Sequence, residues 1–368
     1  MSSVSVREYG PSDRSAFLSL HRDIFSSTVD DAWFEWKYGQ QSLSERPRIL
    51  VAHANDSLVG ALGYIRYDGH IDSRSVSLLQ PSDAMVDPAY RDGGTFIDLL
   101  QSGADRFGTV ADLQVGYPQS DTTRIYTRLL DWDLVCDSSR VWRVHDPGIL
   151  LDYAGRESLA GAASRLSPLF RLGFRGVDTL SGLLGDSTAH TVSVVADPAG
   201  STLASVYDDH RPAANHITRN EAYYDWRLAK PGHQYTAYYA CEGDDTVGCI
   251  VTGKQVGGRR VSICDYLPAR SAEQPAVLRH LLRRVVADHM DAAVIEVPPS
   301  LSSTLVRRQG FVDFGVVGTL REALPDPIGD RLPEPPRSPF IVRDESAAFS
   351  GLAECDNWHL AQIENEAF

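Results

Sequence analysis

An internal repeat constrains the fold of this 368-residue chain more than any other feature of its sequence. The block Asp31–Lys37 reads acid, Ala, aromatic, aromatic, acid, Trp, base, and the block Glu221–Arg227 repeats that order. Each block is followed by an apolar segment, a polar turn and a second apolar segment, which is the pattern of a β-hairpin. The chain is therefore predicted to contain two copies of one structural unit.

The matched positions keep their order over most of the chain. Their separation falls from 190 residues at Trp36 and Trp226 to 179 residues at Trp132 and Phe311, as small loop changes between two copies would produce. The length also suits two ordinary domains. We predict a first domain at 1–146, a helical connector at 147–189, a second domain at 190–322, and a Pro-rich linker with a C-terminal tail at 323–368.

The order of elements within each copy predicts a mixed α/β fold. Helices come first, then antiparallel strands, then a helix and a strand in alternation. Amphipathic helices are predicted at 95–107 and 276–289, each followed by an apolar strand. One more strand is predicted in the tail around Trp358 to Ile363, where a segment folded back over a site between the domains is the alternative.

The net charge of −14 argues against nucleic-acid or anionic-membrane partners, because both require a basic surface. No run of about 20 uncharged apolar residues is present to span a bilayer. The apolar stripe from Leu166 to Leu184 favours a helix packed between the domains, and a helix at a membrane interface is the alternative. We expect a cytoplasmic protein.

Lysine occurs at only three positions, while arginine and acidic residues are abundant. This composition resembles that of salt-adapted, haloarchaeal proteins, and a GC-rich genome would produce it equally well. The five cysteines form no CxxC pair and the histidines no HExxH motif, so no metal site is predicted. Scattered cysteines of this kind are expected to be reduced, buried thiols.

The densest functional signal is the segment from Met85 to Ile97. An apolar strand ends in a Pro turn, and the pair Gly93-Gly94 then opens an amphipathic helix. A glycine-rich start of a helix directs free backbone N–H groups and the positive end of the helix dipole at one place. The segment therefore predicts an anion-binding loop.

This loop resembles the pyrophosphate loop of the GNAT acetyltransferases, which reads Arg/Gln-x-x-Gly-x-Gly/Ala after a strand. Here the sequence is Arg91-x-x-Gly94-x-Phe96, so the final small residue is replaced by Phe. The resemblance implies acetyl-CoA as co-substrate and no metal. It further implies that the strand residues Met85 and Val86 pair with the pantetheine arm, and that the amides of Asp92, Gly93, Gly94, Thr95 and Phe96 hold the pyrophosphate.

The equivalent region of the second copy, from Leu267 to Ala276, contains no glycine. Pro275 also lacks one of the N–H donors that an anion would need. We predict that the second copy does not bind the cofactor and serves to complete the substrate cleft or a dimer interface.

Transfer of an acyl group to an amine requires a base for the ammonium proton and an acid for the leaving thiolate. The family resemblance suggests a tyrosine near the end of the last helix as the acid, which points to Tyr126, with a packed aromatic as the alternative. Asp83, on the strand before the loop, is the candidate base, with Gln80 and Ser82 placed to hold water beside it. A carboxylate that only forms an ion pair is the alternative for Asp83.

These features predict an acetyl-CoA-dependent N-acetyltransferase that acts on a small amine by direct transfer. The alternatives are a non-catalytic acyl-CoA-binding sensor or scaffold, and a related two-domain aminoacyl or peptidyl transferase. The expected partners are a small-molecule amine and, as a further possibility, a second copy of the chain in a homodimer.

Overall fold

The computed structural model describes residues 4–39, 47–153, 156–183, 190–268, 275–301, 303–315 and 337–364. The strands are β1 (Ser5–Glu8), β2 (Ile49–Ala54), β3 (Ser57–Ile71), β4 (Arg74–Val86), β5 (Leu113–Gly116), β6 (Asp133–Ser139), β7 (Val141–Val144), β8 (Thr191–Ala196), β9 (His216–Ile217), β10 (His233–Glu242), β11 (Asp245–Gln255), β12 (Arg260–Leu267), β13 (Val294–Val297), β14 (Val312–Asp313) and β15 (Arg337–Arg343). The α-helices are α1 (Arg14–Phe25), α2 (Asp31–Phe34), α3 (Thr95–Phe107), α4 (Ser120–Leu129), α5 (Gly148–Tyr153), α6 (Glu157–Ser164), α7 (Ser167–Leu183), α8 (Gly200–Asp209), α9 (Glu221–Leu228), α10 (Pro275–Asp288) and α11 (Ser303–Arg307).

Two mixed sheets form the frame of the molecule, as the sequence predicted. Within the described residues the first sheet has the order β1-β2-β3-β4-β5-β15-β6, with β9 beside β3, and the second has the order β14-β7-β13-β12-β11-β10-β8. Most neighbouring strands are antiparallel, while β4–β5 and β12–β13 are parallel. The two parallel pairs occupy matching places in the two sheets, which agrees with the internal repeat.

The two sheets exchange a strand. β7 follows β6 directly in the chain, yet it lies in the second sheet between β13 and β14. In return β15 lies in the first sheet between β5 and β6. Each sheet is therefore completed by a strand from the other side of the predicted connector. The domain boundaries predicted at 146 and 322 stay predictions, and the hydrogen-bonded sheets cross them.

The repeated tryptophans form a reciprocal contact between the two units. Trp36 donates its indole N–H to the carbonyl of Trp226 at 2.6 Å, and Trp226 donates to the carbonyl of Trp36 at 2.7 Å. The two rings stack with centroids 5.7 Å apart. Both side chains belong to one apolar core that contains residues from both units. A second core lies under α3 and α4, and a third lies under α10.

The tail does not form the strand predicted around Trp358 to Ile363. The strand of this region is β15, and it begins within the predicted Pro-rich linker, of which residues 325–336 lie outside the described residues. After β15 the chain forms short 3₁₀ turns at Cys355–Asn357 and Gln362–Glu364. Trp358, His359 and Glu364 are buried, so the tail folds back into the molecule.

The prediction that all cysteines are reduced thiols is wrong for two of them. Cys136 on β6 and Cys355 in the tail form a disulfide that joins residues 219 positions apart. Cys241, Cys249 and Cys264 are free. The pairing could not be read from the sequence, because it depends on the tail returning to the first sheet.

The connector consists of the helices α5, α6 and α7, and residues 154–155 and 184–189 of it lie outside the described residues. The side chain of Arg143 on β7 holds α7 through an ion pair with Asp178 at 2.8 Å and a cation–π contact with Phe174. On its other side α7 exposes Leu169 and Leu172. Among the described residues no helix combines the length and apolar character needed to cross a membrane.

The disulfide yields a test of how the tail is held. A Cys136→Ser/Cys355→Ser double variant is expected to lose about 2–4 kcal/mol of unfolding free energy, because the unfolded chain regains the freedom of a very long loop. Urea denaturation of both proteins measures this difference. Cys241→Ser, which removes a free thiol, is the control. Equal midpoints for the wild type and the double variant would contradict the assigned pairing.

Candidate active site

The candidate site is a cleft of about 530 Å³ in the first unit. It exists because β4 and β5 pair only at Leu78–Leu79 with Leu113–Gln114, and the two strands diverge beyond that point. The open edge is lined by residues 80–84 of β4 on one side and 116–119 after β5 on the other. Helices α1, α3 and α4 contribute further walls.

The predicted anion-binding loop lies at the end of β4. Residues Pro88–Gly93 form a 3₁₀ turn, which Asp87 caps by accepting a hydrogen bond from the amide of Ala89 at 2.8 Å. Gly94 has a φ of 82°, a left-handed conformation that glycine adopts without strain, and α3 starts at the next residue. The amides of the first turn of α3 have no partners within the helix, and its dipole adds positive potential there.

The surroundings of this loop leave room for a ligand. A Cβ atom placed on Gly93 or Gly94 would meet no atom within 4 Å. Thr95 is fully buried, and its hydroxyl has no hydrogen-bond partner among the described residues. Phe96 reaches into the cleft. The loop therefore presents open backbone beside Phe96, which lines the cleft.

The other residues that were predicted to bind the cofactor offer their side chains to a ligand less directly. The side chains of Met85 and Val86 are buried in the cores, so these residues can contribute only backbone groups. Arg91 donates from Nε to the carbonyl of Val86 at 3.1 Å, which turns its side chain towards the strand. Asp92 is exposed.

Asp83 lies in the cleft at an irregular point of β4, with a φ of 46°. Its carboxylate accepts hydrogen bonds from Lys37 Nζ at 2.8 Å and from the hydroxyl of Tyr38 at 2.5 Å. His21 Nε2 lies 3.4 Å away. Burial alone would raise the pKa of Asp83, but the charge of Lys37 and the hydrogen bond from His21 outweigh it and hold the pKa well below its usual range. The carboxylate is thus ionised and a weak proton acceptor.

Tyr126 on α4 has a position that is compatible with both interpretations, and its role as general acid stays a prediction. Its ring packs edge-to-face against Trp132, with centroids 5.2 Å apart, and it also lines the cleft. Burial raises the pKa of the phenol, so the hydroxyl stays protonated at neutral pH.

Several residues of the cleft were not predicted. His21, Trp33, Lys37 and Tyr117 all line it, and the hydroxyl of Tyr117 donates to Glu364 of the tail at 3.1 Å. The one signal in the sequence was Lys37, a rare lysine at the end of the repeated block. Gln80 is buried and faces the cleft, and its amide oxygen has no hydrogen-bond partner among the described residues.

In the second unit the C-terminal tail occupies the place that corresponds to the cleft of the first unit. Beyond the β12–β13 pairing, Arg219 contacts both Asp265, at 3.3 Å, and Glu364, at 2.5 Å. Ser300 accepts from the hydroxyl of Tyr266 at 3.0 Å and donates to the carbonyl of Leu360 at 2.6 Å. The segment predicted as the degenerate loop lies mostly outside the described residues, at 269–274.

Comparison with known proteins finds a family model that matches the first unit. Residues 5–134 match the family model of the acetyltransferase (GNAT) domain. The match covers the loop, Tyr126 and the cleft lining except Ile341 of β15, but not the second unit. A comparison with curated proteins finds no match.

Solved structures resemble the whole chain. A GCN5-related N-acetyltransferase from Anabaena variabilis aligns with 93% of this chain and 73% of its own, at 12% identity and a TM-score of 0.57. A GCN5-related N-acetyltransferase from Kribbella flavida aligns with 93% of this chain and 71% of its own, at 13% identity and a TM-score of 0.53. A tandem GNAT protein from the clavulanic acid biosynthesis pathway aligns with 93% of this chain and 98% of its own, at 10% identity and a TM-score of 0.55. At these identities the likeness shows a shared fold, which agrees with the mixed α/β class predicted from the sequence.

The ion pair in the cleft yields a prediction for stability. Asp83→Asn leaves the buried ammonium of Lys37 without its carboxylate, so we expect a loss of about 3–5 kcal/mol of unfolding free energy at pH 7. The folded-state pKa of Asp83 is lowered, so its contribution is complete above the unfolded pKa of about 4 and disappears as the pH falls through the folded value.

Denaturation at pH 7 and at acidic pH measures this effect. The difference between wild type and variant should shrink as the pH falls below about 4. Asp105→Asn, at an exposed position of α3, is the control. A difference that does not depend on pH would show that Asp83 is not held as an ion pair.

Proposed function

We propose that this protein is an acetyl-CoA-dependent N-acetyltransferase that transfers the acyl group directly to a small amine. The observation that carries the proposal is the cleft between the diverging strands β4 and β5. An anion-binding helix start lies at one end of it, and buried polar groups line the rest. A thioester of coenzyme A supplies the activated acyl group when bound.

The end of the cleft next to the loop suits the diphosphate of the acyl donor. Open backbone at Gly93 and Gly94 and the start of α3 together offer hydrogen-bond donors to phosphate oxygens. We propose that the amides from Asp92 to Phe96 bind the pyrophosphate. Arg91 supports this loop through its bond to the carbonyl of Val86.

The part of the cleft around Gln80 suits an amine as the acyl acceptor. The unpartnered amide oxygen of Gln80 can accept a hydrogen bond from a substrate N–H group, and the face of Trp33 lies in the same cleft. Since Asp83 is ionised, paired with Lys37 and therefore a weak base, we assign it to positioning rather than to proton abstraction.

Tyr126 is assigned as the general acid. During transfer the amine nitrogen forms a bond to the acyl carbon and loses a proton to solvent water, while the carbon–sulfur bond breaks and the electron pair leaves with sulfur. A protonated phenol in the cleft can give its proton to that thiolate. Burial keeps Tyr126 in the required form by raising its pKa.

Cofactor binding is tested at Gly93. Gly93→Asp should abolish binding of acetyl-CoA in a calorimetric titration, because the new carboxylate would enter the phosphate site and repel the ligand. Gly93 suits this test better than Gly94, whose left-handed backbone strains any side chain.

The matched control is Gly161→Asp on α6, a glycine that likewise has no atom near its Cβ direction. Binding should be unchanged in this variant. Equal binding by the Gly93 variant and the wild type would exclude the loop as the phosphate site.

The role of Tyr126 is tested with Tyr126→Phe, which keeps the ring packed on Trp132 and removes only the hydroxyl. We expect kcat for acetylation of an accepted amine to fall by about 100-fold, since general acid catalysis contributes at least that much. The affinity for acetyl-CoA and the melting temperature should not change.

The same measurements separate the enzyme from a sensor. A wild type that binds acetyl-CoA but turns over no amine in a broad screen would favour the non-catalytic alternative. Unchanged kcat in Tyr126→Phe would remove Tyr126 from the mechanism.

A further inference from the structure

A second cavity, of about 340 Å³, lies on the second sheet and is separate from the cleft of the first unit. Its floor is formed by the first residues of β12 and by Glu296 on β13. Arg140, at the crossover from β6 to β7, and Gln362 of the tail form its sides. Nothing in the proposed acetyl transfer requires this cavity.

The cavity carries an excess of positive charge. Arg140 and Arg260 share one carboxylate, that of Glu296, at 3.2 and 3.7 Å. Arg259 pairs separately with Asp146 at 2.7 Å. Among the described residues these three guanidinium groups pair with two carboxylates, which leaves one positive charge uncompensated in a chain of net charge −14. Guanidinium groups bind carboxylate and phosphate oxygens in preference to other ligands.

Unsatisfied polar atoms line the same cavity. The side chain of Gln362 is 91% buried, and its amide oxygen has no hydrogen-bond partner among the described residues. The Nε of Arg140 is buried and also lacks a partner. Buried polar groups are nearly always hydrogen-bonded, so these atoms indicate a ligand or ordered water that completes them.

We propose that this cavity binds a small organic anion, whose carboxylate or phosphate group lies against Arg140 and Arg260 and whose polar remainder is bound by Gln362. The volume suits a metabolite of that size rather than a single inorganic ion. Because Gln362 stands two residues before Glu364, which accepts a hydrogen bond from Tyr117 of the cleft, the ligand contacts the same turn that supports the first site.

The test is a calorimetric titration of the full-length protein with citrate and with inorganic phosphate at constant ionic strength, with sodium chloride as the reference. Two variants accompany the wild type. Gln362→Glu places a carboxylate in the cavity, and Arg260→Gln removes a half-exposed charge. Gln101→Glu, an exposed position on α3, is the matched control.

We expect one or both anions to bind the wild type and the control, and to bind both cavity variants at least about tenfold more weakly. Binding of citrate alone identifies a carboxylate ligand, and binding of phosphate alone a phosphate ligand. The melting temperature of Gln362→Glu without ligand should equal or exceed that of the wild type, because the new carboxylate offsets the excess charge.

The proposal would be overturned if neither anion binds above the sodium chloride reference. It would also be overturned if the wild type and the cavity variants bind the anions equally well. A clear fall in the melting temperature of Gln362→Glu would overturn it as well, since a carboxylate buried without excess positive charge is destabilising. Binding of acetyl-CoA should be unchanged in both variants, which keeps this test independent of the proposed activity.

Discussion

The reciprocal contact of Trp36 and Trp226 is the interaction on which the arrangement of the two units depends. Each indole N–H donates a hydrogen bond to a backbone carbonyl of the other copy, and a single unit cannot form either bond. The same turn carries Trp33 and Lys37, which line the cleft, and Tyr38, which donates to Asp83. The second unit therefore fixes one wall of the candidate site, which gives a physical reason for a duplicated fold.

The exchange of β7 and β15 joins the two units still more closely. Each sheet contains an interior strand from the far side of the chain, so neither sheet is complete without the other half. The diverging edge of β4 and β5 is left open in the first unit, whereas in the second unit the tail fills the corresponding region through Arg219, Asp265 and Glu364. A buried cation between two carboxylates stabilises this closure only with the tail in place, because removal of one partner leaves a buried charge unpaired.

Local and periodic features were predictable from the sequence. The repeated blocks, the mixed α/β class and helix α3 from Thr95 to Phe107 are confirmed, because apolar spacing and glycine placement determine them locally. The strand exchange was not predictable, since β7 and β15 are short apolar segments that fit either sheet equally well. The disulfide and the buried tail follow from that exchange. Asp83 and Tyr126 were found as candidates, but the partners of Asp83, His21 and Lys37, come from distant helices that only the tertiary structure brings together.

The central claim is that the cleft of the first unit, and not the second, takes the acyl donor. Hydrogen–deuterium exchange of the full-length protein with and without acetyl-CoA tests it directly, because backbone amides that bind a ligand exchange more slowly. The account predicts added protection at residues 92–97 and 115–119 and none at residues 264–267 of β12. Protection confined to the second unit, or no change in either unit, would contradict it.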